Sequence, residues 1–160
     1  MSSCVFPGSF DPVTKGHLDL ISRASYLFEH VTVTVMNNIH KKSAIPVEKR
    51  VRMLQEVCTV FPNVSVEKWN GLLADYMKKK KEKMIIRGIR SSAELDQELQ
   101  ACAANRILNS DIETIFLPCD PQMNGISSSA VREIAAFGGD IRPFVPDALT
   151  EEIIKLLSKE

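Results

Sequence analysis

Short apolar runs alternate along the chain with longer stretches in which apolar positions recur every three to four residues. The short runs, at 4–6, 31–36, 64–67, 84–87 and 114–117, predict strands. The longer stretches predict helices over 14–28, 47–59, 72–81 and 92–109, followed by 128–137 and 147–157. In the fourth helix, Leu95, Leu99, Cys102, Ala103 and Ile107 recur at helical spacing, which predicts one buried face. Such alternation implies an α/β fold, a doubly wound five-stranded parallel sheet with helices on both faces and two further helices at the C-terminal end. No internal repeat or low-complexity linker interrupts the series, so residues 1–160 read as a single domain. Ligands of an open parallel sheet bind beyond the carboxyl ends of the strands, where strand order reverses, so chemistry is expected just after these strands.

The first strand-to-helix junction is the most informative. Pro7-Gly8-Ser9-Phe10-Asp11-Pro12 follows the first strand, and Thr14-Lys15-Gly16-His17 opens the first helix. Glycine lets a backbone lie close to a phosphate. Thr14 is placed as an N-cap, and His17 falls in the first turn, where free amides and the positive end of the helix dipole favour an anion. A histidine donor there can stabilise charge growing on a transferring phosphoryl group. The competing reading is that Gly16 serves helix packing and His17 is a surface residue.

Later strand ends carry further phosphate-binding chemistry. Arg87 and Arg90, separated by Gly88 and Ile89, leave the fourth strand together, and each guanidinium can grip phosphate oxygens in a fork. The alternative is a salt bridge to Glu94 or Asp96. Ser127, Ser128 and Ser129 open the helix that contains Arg132 and offer hydroxyls and a helix N-terminus to the outer phosphates of a nucleotide, though serines also serve as simple caps. Lys41 and Lys42 follow the second strand, where a lysine can neutralise a phosphate as a point charge. The run Lys78 to Lys81 with Lys83 sits at a helix end, where cations compensate the helix dipole. His30 and His40 are read as structural or exposed.

Composition narrows the partners. Lys plus Arg and Asp plus Glu number 20 each, so the formal net charge is zero and no global field collects nucleic acid or an anionic membrane. Cys4, Cys58, Cys102 and Cys119 are far apart and form no Cys-x-x-Cys pair, which reads as ordinary thiols in a reducing compartment. No apolar run approaches the roughly 18 residues of a membrane span, and the first residues reach Pro7 too soon for a signal peptide, so a cytoplasmic location is expected.

The run from Phe6 to His17 resembles the signature of nucleotidyltransferases with a Thr- or His-x-Gly-His motif, in particular the bacterial phosphopantetheine adenylyltransferases. Ile86-Arg87-Gly88-Ile89-Arg90 and Gly125-Ile126-Ser127-Ser128-Ser129 resemble two later segments of that family, in its order and spacing, over about residues 3–146. The resemblance implies a Rossmann-like domain that transfers AMP from ATP to 4'-phosphopantetheine, giving dephospho-CoA and pyrophosphate. It implies His17, Thr14, Lys41 and Arg90 as catalytic groups, and Ser9, Lys41, Leu73 and Arg87 as the acceptor site. For ATP it implies Ser9, Phe10, His17, Gly88, Ile89, Arg90, Glu98, Met123, Asn124, Gly125, Ile126, Ser127, Ser128 and Ser129. Magnesium is expected to bridge ATP phosphates, held mainly by phosphates and water because the sequence offers no dense carboxylate cluster. A homohexamer is implied as well. The chain departs from the family in the pocket walls, with Leu95, Asp96 and Gln97 ahead of Glu98, where aromatic residues are common, and Met123 where tryptophan is frequent. Three rivals stand beside this reading: a sister enzyme acting on nicotinamide mononucleotide or on CTP and glycerol phosphate, a nucleotide sensor that keeps the fold, and a flavodoxin-like redox module.

Overall fold

A computed structural model describes residues 2–38, 40 and 42–158. Five strands, β1 (Ser3–Gly8), β2 (His30–Met36), β3 (Val64–Trp69), β4 (Met84–Ile89) and β5 (Glu113–Pro118), form one parallel sheet in the order β3-β2-β1-β4-β5. The order runs one way from β1 to β3 and the other way through β4 and β5, so the switch point lies between β1 and β4. The helices are α1 (Lys15–Leu27), α2 (Val47–Cys58), α3 (Leu73–Lys80), α4 (Ser92–Leu108), α5 (Ser128–Ala136) and α6 (Thr150–Leu157). The segment predicted as one helix over 147–157 divides into a 3-10 turn, Asp147–Leu149, and α6. A second 3-10 turn, Pro121–Met123, was not foreseen.

Strand alternation separates two apolar layers. Cys4, Phe6, Val31, Val33, Val35 and Ile86 join Leu20, Ile21 and Ala24 of α1, Met53 and Leu54 of α2, Val131 of α5 and the C-terminal Leu149 and Ile153 in one cluster. Val5 and Ile85 take part in a smaller cluster with Ala74, Tyr76 and Met77 of α3 and with Ile112. The C-terminal segment is tied to the first helix by the Lys15 amide donating to the Phe144 carbonyl at 2.9 Å.

The expectation of a buried face on α4 is overturned. None of its residues is buried, Ala103 is exposed, and Leu99 and Ile107 are 48% and 86% exposed. The apolar spacing is helical, but within one chain α4 rests on α3, β4 and β5 through half-buried side chains only. His30, expected at a helix end, instead opens a strand, while the loop position of His40 and the helix-end position of the lysine run agree with the structure. His30 begins β2 exposed, with Nε2 3.1 Å from Ser65 Oγ, and His40 lies in an exposed turn. Lys78, Lys79 and Lys80 occupy the last turn of α3, and Lys81 caps it in the left-handed region. All four cysteines are free thiols.

Candidate active site

Two helix N-termini face each other beyond the switch point. Thr14 caps α1 with a reciprocal capping box: its hydroxyl accepts from the His17 amide at 3.3 Å, and its own amide donates to His17 Nδ1 at 3.0 Å. Because Nδ1 accepts a hydrogen bond, the neutral imidazole carries its proton on Nε2, the nitrogen left to act as a donor. Burial, then the positive charges of Arg90 and Arg87, lower the His17 pKa to about 4. The ring is therefore neutral at physiological pH and donates without first losing a proton. Phe10 fixes its plane from one side, with ring centroids 4.8 Å apart at 65°.

Phe10 itself is 1% exposed and held at φ 47°, a left-handed conformation rare for an aromatic residue. Its ring belongs to the core against Phe6, so it can offer a ligand little beyond its backbone. Gly8 gives it room: a Cβ at that position would stand 3.1 Å from the Phe10 ring.

The second N-terminus belongs to α5. Ser127 is its N-cap and accepts from the Ala130 amide at 3.1 Å. Ser128 donates its hydroxyl hydrogen to the Pro12 carbonyl at 2.7 Å, and Arg132 donates to the Asp11 carbonyl at 2.6 Å and to Ser129 Oγ at 3.2 Å. These bonds seat α5 on the β1–α1 turn.

Between them lies a cleft of about 340 Å³, lined by Ser9, Phe10, Thr14, His17, Arg87, Gly88, Arg90, Glu94, Glu98, Met123, Ile126, Arg132 and the three serines, among others. Both arginines of the fourth strand end reach it already paired. Arg87 donates to both Glu98 oxygens, at 2.7 and 2.5 Å, and to the Pro7 carbonyl at 2.8 Å. Arg90 pairs with Glu94 at 2.7 Å and donates to the Ile126 carbonyl at 3.2 Å. Burial would raise the Glu94 pKa, but its bonds with Arg90 prevail and it lies below the usual carboxylate range. The salt bridge weighed from sequence thus exists for Arg90, with Glu94; Arg87 takes Glu98, and Asp96 is exposed. At Gly88 a Cβ would fall 2.2 Å from Leu20 Cδ1 and 3.2 Å from Cys119 Sγ, so any larger residue would have to displace the Leu20 side chain.

A second cavity of about 300 Å³ adjoins the cleft and is lined mostly by nonpolar groups, including Met36, Leu73, Ile85, Ala101 and Cys102. It shares Pro7, Gly8, Ser9, Arg87 and Glu98 with the cleft. A third, of about 310 Å³, is polar, with Asn37, Asn38, Lys42, Ser43, Arg50 and Arg132 in its walls.

Of the sequence-expected residues, Ile89, Asn124 and Gly125 belong to the right segments but do not line the cleft. Lys41 lies outside the described residues, while its neighbour Lys42 borders the polar cavity. Sequence reasoning passed over Arg132 and Arg50 as functional residues, and weighed Glu94 only as a surface partner of the arginines. Arg132 was signalled by its place one turn after Ser129; a buried arginine inside α2 gave no comparable signal. Among the described residues, no group of three or more His, Cys, Asp or Glu side chains could hold a metal ion, and Glu94 and Glu98 are engaged by arginines.

Comparison with known proteins adds the family and the fold's relatives. Residues 5–134 match the cytidylyltransferase-like family model. The chain is 43% identical over 154 residues to a phosphopantetheine adenylyltransferase of Clostridium perfringens, covering 96% of this chain and 94% of that one. It is 41% identical over 159 residues to the phosphopantetheine adenylyltransferase of Rubrobacter xylanophilus, covering 99% and 97%. The fold superposes on a Plasmodium falciparum nicotinic acid mononucleotide adenylyltransferase complexed with NaAD with a TM-score of 0.68 at 16% identity, covering 96% of this chain and 94% of that one.

Proposed function

From the premise that the chain belongs to the phosphopantetheine adenylyltransferase family, we propose that its residues carry the transfer of AMP from ATP to 4'-phosphopantetheine as follows. A terminal phosphate oxygen of the acceptor attacks the α-phosphorus of ATP in line, the bond to the β-phosphate oxygen breaks, and pyrophosphate leaves. An acceptor already anionic at neutral pH needs no general base, and no covalent enzyme intermediate is required, so rate comes from positioning and charge neutralisation.

The observation that carries this reading is the meeting of two cavities of opposite character at one strand end. The polar cleft between the N-termini of α1 and α5 suits a triphosphate. The mostly nonpolar cavity beside Leu73 suits the pantetheine arm. They join at Pro7, Gly8, Ser9, Arg87 and Glu98, where the two phosphates must meet.

His17 donates from Nε2 to the phosphoryl oxygens as charge builds in the transition state, with Thr14 fixing its tautomer and Arg90 adding positive charge. Arg87 turns from Glu98 toward the acceptor phosphate, assisted by Ser9 and Lys41. The Ser127, Ser128 and Ser129 hydroxyls and the α5 amides take the outer phosphates, with Arg132 beside them. Phe10, Gly88, Ile89, Glu98, Met123, Asn124, Gly125 and Ile126 frame the nucleotide. ATP brings its magnesium ion as part of the substrate, held by phosphates and water. The chain acts as one catalytic domain in the cytoplasm. It assembles as a homohexamer, a reading supported by the exposed apolar side chains of α4.

Pyrophosphate release from ATP should depend on 4'-phosphopantetheine and fall by at least a factor of a thousand in His17→Ala. Release with nicotinamide mononucleotide, or with CTP and glycerol phosphate, in place of this acceptor would replace the substrate and keep the site. Silence with every acceptor, with ATP still bound, would mark a sensor.

A further inference from the structure

Arg50 is the most deeply buried cation of the molecule's described residues, 2% exposed inside α2, and among those residues it forms no ion pair. Burying a charge without a partner is costly unless hydrogen bonds replace the lost water. Here four of the guanidinium's five N–H groups are spent on neutral oxygens of separate segments. Nε donates to the Ile45 carbonyl at 2.9 Å, and one terminal nitrogen donates to the Ser9 carbonyl at 2.7 Å. The other terminal nitrogen donates to Asn37 Oδ1 at 3.2 Å and Ser43 Oγ at 3.3 Å. One side chain thus holds the β1–α1 turn, the end of β2 and the loop before α2 in a common register.

A second tie runs the opposite way. Asp11, in the same turn as Ser9 and itself buried, accepts from the Ala44 and Ile45 amides at 2.8 Å each. The loop before α2 is therefore fastened to the turn by a cation from one side and an anion from the other.

What the fork holds is the decisive point. Among the described residues, Ser9 is the one that borders all three cavities, the nucleotide cleft, the nonpolar cavity and the polar cavity. A residue at that junction sits where the attacking and transferring groups must approach. Its backbone carbonyl is bound by Arg50, whose same guanidinium also bonds Ser43, another residue in the wall of the polar cavity.

Resting on the functional reading above, we propose that Arg50 is a positioning residue for the acceptor: its fork sets Ser9 and the loop before α2 at one fixed separation, so that both close on the acceptor phosphate as a single wall. It touches neither substrate. The nucleotide side of the cleft has further ties of its own, the α1 capping box and the bonds that seat α5 on the same turn, so loss of the Arg50 fork falls more heavily on the acceptor than on ATP. Lysine cannot substitute, because one ammonium on a flexible stem lacks the planar fork that reaches three segments.

The test compares Arg50→Lys and Asp11→Asn with the wild type in steady-state turnover, varying ATP and 4'-phosphopantetheine separately, with ATP affinity measured by calorimetry. In Arg50→Lys the KM for 4'-phosphopantetheine should rise at least fivefold and kcat fall at least tenfold, while the Kd for ATP stays within twofold. Asp11→Asn, which keeps side-chain volume and weakens the other tie, should raise the same KM by a smaller factor. Methylguanidine at millimolar concentration should restore part of kcat to Arg50→Ala, since the polar cavity gives it access. Arg50→Lys turnover with wild-type kcat and KM would overturn the inference, as would an Asp11→Asn enzyme with an unmoved acceptor KM, or a loss of ATP affinity equal to the loss of acceptor affinity. A wild-type protein that binds ATP yet releases no pyrophosphate with this acceptor would instead sink the functional reading.

Discussion

At the scale of single residues, the site is built by groups that fix one another's protonation and direction. Thr14 spends its amide on His17 Nδ1, and that single bond assigns the histidine proton to the cleft. The lowered His17 pKa has a consequence for stability. A folded-state value of about 4 against an ordinary 6.5 means the unfolded chain binds the proton more tightly. The stability linked to this group is therefore complete above about pH 6.5 and lost as pH falls toward 4. Two measurements check it: the His17 ring signals in NMR should titrate near pH 4, and between pH 7 and 5 the wild type should lose more unfolding free energy than His17→Gln. A ring titrating near 6.5 would remove the neutral-donor role. His17, Thr14, Arg87 and Arg90 were legible in the sequence because their residue types sit beside glycine at strand and helix ends. The glutamate that engages Arg87 was not legible as its partner, because Glu98 is one helical turn beyond the positions a local salt bridge suggests.

At the scale of elements, the site depends on helix ends more than on helix bodies. α1 and α5 both begin with hydroxyl caps, and residues of both first turns line the cleft. Replacing Ser127 with alanine should remove the bond to the Ala130 amide and cost about 1 kcal/mol of stability in denaturant unfolding. The same variant should weaken ATP binding more than AMP binding if the outer phosphates meet this end of the cleft, as proposed. Equal weakening of both nucleotides would place the triphosphate elsewhere. Element existence was legible from apolar spacing for all five strands, whereas the carboxyl ends of β1, β3 and β4 ran two residues further than the apolar runs. Strand hydrogen bonding continues through Gly8, Trp69 and Ile89 because a neighbouring strand is there to receive it, a fact of the sheet and not of the run.

At the scale of the whole molecule, the strand order β3-β2-β1-β4-β5 makes the junctions after β1 and β4 neighbours, although about eighty residues of sequence separate them. The same scale accounts for α4. A 17-residue helix with no fully buried residue, and with Ile107 86% and Leu108 60% exposed, leaves apolar surface uncovered by its own chain. The proposed homohexamer should appear in analytical ultracentrifugation, and Ile107→Glu should shift it toward smaller species. An exposed surface change of this kind is otherwise nearly neutral to folding of a single chain, within about 0.5 kcal/mol. A monomeric wild type, or a hexamer indifferent to Ile107→Glu, would count against α4 as a contact between copies.

The sequence by itself determined the class of fold and set His17, Thr14, Arg87, Arg90 and the three serines at the strand and helix ends that line the cleft. Each of these follows from short-range rules, namely periodicity, capping and the conformational freedom of glycine next to a strand. Only the tertiary structure decided which cavities meet, which carboxylates engage Arg87 and Arg90, that α4 stays uncovered, and that Arg50 binds the Ser9 carbonyl 41 residues away. Those outcomes depend on strand order and on the geometry of buried donors and acceptors, which arise only when distant segments are brought to one sheet edge and must satisfy one another's polar groups out of water.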